Sequence, residues 1–344
     1  MQLPADFRRF LAPGADRLVA LAGILAGRGL EYSVLPAAGA RHLLVRLGAG
    51  RPRLVLVAHY DRAPGSPGFL DNSAACLALA DFGARLGGGL GGGLRGRPAG
   101  AGALEEGGTG GGAPNSLAGG PYGGGKAALP GLCLLFTDAE EKPAESGALT
   151  QGAYALARGL KAAFAAAFSA DLQAAGARRG ARADAGNPTD ELPRFLVLDV
   201  VGRGDRLLLS TASAALLERS GKGAESLAGR IEALACLALS AAERAGLPAP
   251  LRVPLPWSDD LGLVLGGLPA LTLSLLPAAE ARAYATLNAG EPAPRSAAPS
   301  RAEAGQAWPA TWDYLHTAAD GPALAASEPF ALVAAFLDAL ALLA

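Results

Sequence analysis

Seven side chains of this sequence could do metal chemistry together: His59, Asp61, Asp71, Glu140, Glu141, Asp199 and His316. Two imidazoles with carboxylates and no thiol form the donor set of zinc, or of a related divalent ion, in a catalytic site that keeps an open position. Histidine is scarce, three in 344 residues, and two of the three fall in this group. One carboxylate can bridge two ions. Asp71 is the natural bridge, with His59 and Asp199 on one ion and Glu141 and His316 on the other. Asp61, two residues past His59, suits a carboxylate that accepts the second imidazole N–H and sets the tautomer. Glu140, beside a ligand but directed differently along the chain, suits a general base.

Taken alone, each has a plainer reading: a His after a strand is structural, an Asp before a helix is an N-cap, a Glu pair is a solvated face. What joins them is where the strands end. Apolar, Leu- and Val-rich runs predict strands at about 31–36, 42–47, 53–59, 131–138, 194–201, 206–210 and 270–276. Helical spacing lies between them. Ala75, Leu79, Phe82 and Leu86 recur at three- and four-residue steps, which predicts a helix beginning at DNSAA beside Asp71. The final segment EPFALVAAFLDALALLA has the same period and should pack on the sheet, while MQLPADFRRFLAPGADRLVALAGILAG reads as an amphipathic docking helix. Such alternation predicts an α/β layer sandwich whose strands deliver residues 59, 71, 140, 141 and 199 to one crevice at their carboxyl ends.

Composition removes other classes. Thirty basic residues balance thirty-one acidic ones, so no positive excess recommends nucleic acid or an anionic membrane surface. No apolar run is long enough to cross a bilayer. Cys76, Cys133 and Cys236 are odd in number and widely separated, which predicts buried thiols in a reducing, cytoplasmic compartment rather than disulfides. The stretch from Gly87 to Leu129 is nearly all Gly, Ala, Pro and Ser and reads as a disordered insert. Within it, GPYGGGKA lacks the hydroxyl residue after Lys126 and the preceding strand that a phosphate-binding loop needs. Polar segments at about 171–193 and 288–307 read as surface excursions, leaving one domain over residues 1–344. His42 reads as a surface or strand-end histidine. Arg203-Gly204-Asp205 reads as a turn, and Trp257, Trp308 and Trp312 as pocket lining or packing. Neither a His-Glu-x-x-His helix nor a Gly-x-Ser-x-Gly elbow is present.

Six ordered motifs carry a resemblance. HYD at 59–61, SPGFLDNSA at 66–74, TDAEE at 137–141, LDVVG at 198–202, SDDLGLVLGGLPA at 258–270 and LHTAAD at 315–320 are together similar to metallopeptidase family twenty-eight, the co-catalytic zinc aminopeptidases. The similarity spans about 40–320 outside the inserts. It implies a three-layer sandwich with a mixed, mostly parallel central sheet, two zinc ions on the five ligands given above, Glu140 as general base, and peptides as substrates. Two departures stand out. Ser258, Asp259 and Asp260, with Leu263, replace the family's Ser-Asp-His and Phe, which puts a different wall on the substrate side. KPAESGALTQGA after the Glu pair alters the turn beside Glu140. A single-zinc glutaminyl-cyclase-like acyltransferase, to which the Asp pair is similar, and a non-catalytic module of the same fold are the competing readings.

Overall fold

The computed structural model describes residues 1–48, 50–88, 131–141, 151–163, 192–218, 224–289 and 299–344. The chain opens with two helices, α1 (Ala5–Phe10) and α2 (Arg17–Gly27), where one was expected, because Pro13-Gly14 breaks the pattern and Asp16 caps the second by accepting the Val19 N–H. Strands β1 (Tyr32–Ala37), β2 (Ala40–Arg46) and β3 (Leu54–His59) follow, then α3 (Ala74–Gly88), β4 (Leu132–Thr137) and α4 (152–163). The second half holds β5 (Arg194–Leu198), β6 (Arg206–Ser210), α5 (Ala212–Glu218), α6 (Glu225–Arg244) and β7 (Leu251–Val253). It closes with α7 (Asp259–Leu265), β8 (Ala270–Leu276), α8 (Ala278–Asn288), α9 (Arg301–Ala304) and α10 (Ser327–Ala341).

One eight-stranded sheet has the order β1-β2-β4-β3-β5-β8-β6-β7. Its four central strands, β4, β3, β5 and β8, run parallel, and antiparallel β2 and β6 flank them. Every residue of β3, β4 and β8 is buried. Strands buried at every position have both faces covered, so these read as continuous apolar runs instead of alternating ones. The architecture is the expected α/β sandwich: a mixed, mostly parallel sheet flanked by helices. α10 packs against α3 and α6, burying Phe336, Leu337 and Leu340.

Several local expectations shift. The strand predicted at 194–201 stops at Leu198, because Val200 leaves the extended conformation at φ 53°, although its carbonyl oxygen still accepts the Leu275 N–H of β8 at 3.2 Å. The helix predicted from DNSAA starts at Ala74, and Asp71 and Asn72 stand in a non-helical turn before it (φ −119° and −136°). β7 was not expected; three residues between prolines carry too little pattern. Arg203–Asp205 is the turn between β5 and β6, its Asp205 carboxylate accepting the Ala278 N–H at 2.7 Å. Cys76 and Cys133 are buried, but Cys236 is exposed on the outer face of α6. The Gly-rich insert, apart from the α3 end at Gly87 and Gly88, lies outside the described residues, as do most of 171–193 and residues 290–298. No helix among the described residues is long and apolar enough to cross a membrane.

His42 is the main surprise. It is fully buried on β2, because that strand pairs with β4 and the imidazole tucks under the corner after Thr137. There its Nδ1 accepts the Asp138 N–H at 3.2 Å, which requires a neutral ring. Burial pushes its pKa down to about 4, only partly opposed by Asp138 and Asp61. The unfolded chain therefore binds the proton first as pH falls. The stabilisation is complete above about 6.5 and is lost between there and 4. From pH 7 to pH 4, urea midpoints should show the wild type losing about 3 kcal/mol more than His42→Gln; equal losses would exclude this histidine as the source.

Candidate metal centre

The parallel strands end at one edge, and that edge carries the chemistry. His59 is the last residue of β3, Asp138–Glu141 follow β4, and Asp199 follows β5. Asp71 arrives from the turn before α3, and His316 from the loop after the short 3-10 turn Ala310–Asp313.

The two imidazoles face a common carboxylate. His59 Nε2 lies 3.0 Å from Asp71 Oδ1, and His316 Nε2 lies 3.0 Å from Asp71 Oδ2. Each has one further carboxylate: Asp199 Oδ1 at 3.7 Å from His59, Glu141 Oε2 at 3.3 Å from His316. Ligand atoms of His59, Asp71 and Glu141 all fall within 4.8 Å of one another. The structure thus gathers all five residues singled out as ligands. Asp61 Oδ1 stands 3.5 Å from His59 Nδ1, an ion-pair separation but long for a hydrogen bond, while its Oδ2 accepts the Glu141 N–H at 2.9 Å. Asp61 thereby links the β3 end to the β4 corner.

These residues fit a divalent cation. His59 is fully buried, yet neither ring nitrogen has a hydrogen-bond partner, and Asp199 Oδ1, Glu141 Oε1 and Asp61 Oδ1 are equally unpartnered. Buried polar atoms without partners are rare and costly; of these, His59 Nε2 and Asp199 Oδ1 face the Asp71 carboxylate and supply the nitrogen and oxygen donors zinc prefers, while His59 Nδ1 and Asp61 Oδ1 face each other behind the ring. Cys76 is not a donor; its thiol, pushed up to about 12 by burial, hydrogen-bonds the His59 carbonyl oxygen at 3.2 Å.

Electrostatics are strongly coupled. Burial disfavours the Asp71 carboxylate, but the two imidazoles outweigh it and hold it well below the usual range. Burial likewise opposes the His59 cation, and Asp199, Asp61 and Asp71 outweigh that and raise it. His316 is raised to about 10 by Asp71 and Glu141. Glu140 is held well above the usual carboxylate range by burial, with the nearby Asp259, Asp71 and Asp199 adding to the shift and His59 opposing it.

Backbone strain accompanies the ligands. Four non-glycine residues among those described have positive φ, and three adjoin or belong to the site: Ala139 (63°), Val200 (53°) and His316 (59°). Such positions persist only where surroundings hold them. Two glycines allow the close approaches. A Cβ on Gly68, at φ 65°, would sit 2.9 Å from the Asp71 carbonyl oxygen, and one on Gly152 would sit 1.9 Å from that of Asp138. Gly152 belongs to the KPAESGALTQGA run that follows the Glu pair, of which residues 142–150 lie outside the described residues.

A cavity of about 140 Å³ opens beside the carboxylates, lined by Asp71, Glu140, Asp199 and His316 and walled by Val200, Leu255, Pro256, Trp257, Trp312 and Leu315. Trp257 and Trp312 are therefore lining, and Trp308 packs edge-on against Trp312 at 5.0 Å. The expectation that Asp260 and Leu263 form the altered wall is corrected. Leu263 is core, and Asp260 turns away to accept the Ser213 hydroxyl at 2.8 Å. Asp259, also fully buried and pushed up to about 7 by burial, accepts the Thr137 hydroxyl below the β4 end. Missed at the sequence level were Arg17, whose buried guanidinium donates to the Tyr60 carbonyl and the Ser73 hydroxyl, and Asn72, whose amide donates to the Leu198 carbonyl at 2.7 Å. Nothing in their spacing marks them. Asp320, inside the LHTAAD motif, was legible but unassigned.

No family model and no curated protein matches the chain. Solved structures do match in fold. The glutaminyl cyclase of Tannerella forsythia superposes at TM-score 0.53, with 15% identity, over 98% of this chain and 96% of that one. A Zn-dependent exopeptidase from Parabacteroides distasonis gives 0.52 at 13%, over 96% and 92%. The glutaminyl cyclase of Macrostomum lignano gives 0.52 at 14%, over 97% and 86%. The chain has the fold these zinc exopeptidases and glutaminyl cyclases share.

Metals and protons compete for the same lone pairs. Because His316 holds its proton up to about pH 10, zinc added to metal-free protein at pH 7 should release protons, and affinity should climb with pH. Calorimetry in two buffers of different ionisation enthalpy reads this directly; identical heats would contradict it.

Proposed function

We propose that this chain is a zinc-dependent aminopeptidase of the family-twenty-eight type, acting as a single catalytic domain on the free N-terminus of peptides. The observation that carries the reading is the disposition of Asp71, whose two oxygens each lie 3.0 Å from a different imidazole. A carboxylate so placed suits a bridge between two ions, with His59 and Asp199 holding one and Glu141 and His316 the other. When bound, zinc polarises an acyl carbonyl and acidifies water.

The remaining chemistry falls to the protein's own groups. Glu140 lines the cavity, steadied by the Gln151 side-chain amide at 3.5 Å. Its carboxylate takes a proton from the water whose oxygen bonds to the scissile carbonyl carbon. As the carbon–nitrogen bond breaks, it returns that proton to the departing amine nitrogen. Asp61 keeps His59 and the Glu141 backbone in register. The apolar wall excludes water around the first residue of the peptide, and the acidic rim attracts its ammonium group.

A second reading keeps the fold and changes the reaction. The fold shared with the Tannerella forsythia and Macrostomum lignano proteins, both glutaminyl cyclases, supports an acyl transfer as the alternative, in which a peptide's own N-terminal amine attacks its glutamine side chain and expels ammonia; on this reading one zinc would suffice. Products separate the two, free amino acid against ammonia with a pyroglutamyl peptide.

Purified protein assayed for zinc and against a panel of aminoacyl and glutaminyl substrates should hold two ions and release amino acids. Glu140→Gln should keep its metal while losing about 3 kcal/mol or more of transition-state stabilisation, over a hundredfold in kcat. An active Glu140→Gln enzyme would take Glu140 out of the chemistry.

A further inference from the structure

The two imidazoles that face Asp71 come from distant parts of the chain, and the His316 side has little to hold it. The His316 side chain is 62% exposed, and its described partners are Asp71 and Glu141. Its loop is nevertheless a tightly self-bonded unit. The Thr317 N–H and hydroxyl both donate to the Tyr314 carbonyl, the Ala319 N–H donates to the Thr317 hydroxyl, and the Asp320 N–H donates to the Thr317 carbonyl. A unit so bonded moves as one piece, so whatever pins it also places the imidazole.

Asp320 is that pin. It is fully buried, and its carboxylate accepts the Leu70 N–H at 2.6 Å and the Asp71 N–H at 3.3 Å. Its own carbonyl oxygen accepts the Phe69 N–H at 3.1 Å. Three consecutive amides of the Asp71 turn thus converge on one residue, four positions from His316. The Leu70 bond has the short length of a hydrogen bond to a charged acceptor, the Asp71 contact is longer, and the one carboxylate spans the two segments.

We propose that Asp320 is a positioning residue that sets the spacing of Asp71 and His316, and thereby the affinity of the ion held on the His316 side. The inference rests on the two-ion reading above. It makes an asymmetric claim: Asp320 governs the ion of Asp71, Glu141 and His316, and leaves the ion of His59 and Asp199 bound. Groups that orient metal ligands typically change affinity by about ten- to a hundredfold.

The experiment is a zinc titration of metal-free full-length wild type, Asp320→Asn and Asp320→Ala against a chromophoric chelator, with bound ions counted and kcat and KM measured at saturating zinc. The wild type should bind two ions. In Asp320→Ala one should weaken about a hundredfold and in Asp320→Asn about tenfold, because the amide keeps one acceptor for Leu70 but can turn a donor toward Asp71. The other ion should hold its wild-type affinity, and kcat should fall with KM unchanged. A residue serving stability alone would lower the melting temperature without this selective loss. Two ions bound at wild-type affinity in both variants would overturn the inference. A wild type binding one ion refutes the two-ion reading instead, and the inference then stands or falls on whether that ion weakens in the variants. If neither variant folds, the metal-free wild type still decides: slow exchange of the Leu70 and Asp71 amide protons supports the pin, and free exchange overturns it.

Discussion

One carboxylate, Asp71, faces two imidazoles separated by more than 250 positions of sequence, and the rest of the site is arranged around keeping it there. An ionised group buried to this degree is costly unless opposite charge or hydrogen-bond donors surround it. Here the compensation is local and specific: His59 on one oxygen, His316 on the other, and the carboxyl held ionised by both despite its burial. Protons on the imidazoles or divalent cations between them satisfy the same electrostatic demand. Folding and metal binding are therefore linked at this point.

The sheet supplies the geometry. Parallel strands buried on both faces end together, so β3, β4 and β5 present His59, the Glu140 corner and Asp199 within reach of one turn. The strained residues sit where the chain leaves those strands. Val200 and Ala139 adopt left-handed backbone conformations beside Asp199 and Glu140, which a β-branched residue such as valine does only under constraint. Behind the site, Arg17 from α2 ties Tyr60 to Ser73, the residues next to His59 and near Asp71. A helix far from the cavity in sequence thus braces the two ligand-bearing segments.

Much of this was legible in the residues. The continuous apolar runs at 53–59, 131–138 and 270–276 mark strands buried on both sides, and carboxylates or histidine at the ends of two of them point to a shared edge. The ordered motifs placed all five proposed ligands where the fold brings them together. What was not legible depends on contacts distant in sequence. His42 looks like a strand-end residue until β2 is paired with β4 and the Asp138 corner closes over it. Asp260 looks like a pocket residue until α7 turns it toward Ser213. The role of Asp320 exists only once the Leu70 turn lies beside it, 250 positions away. β7 is too short to carry a pattern of its own.

The central claim, a carboxylate shared between two ions, is tested most directly by anomalous scattering at the zinc edge from crystals of the zinc-loaded protein. Two peaks flanking the Asp71 carboxylate, one beside His59 and Asp199 and the other beside His316 and Glu141, are the predicted result. A single peak on Asp71, Glu141 and His316, with His59 and Asp199 bonded only to protein, would contradict it.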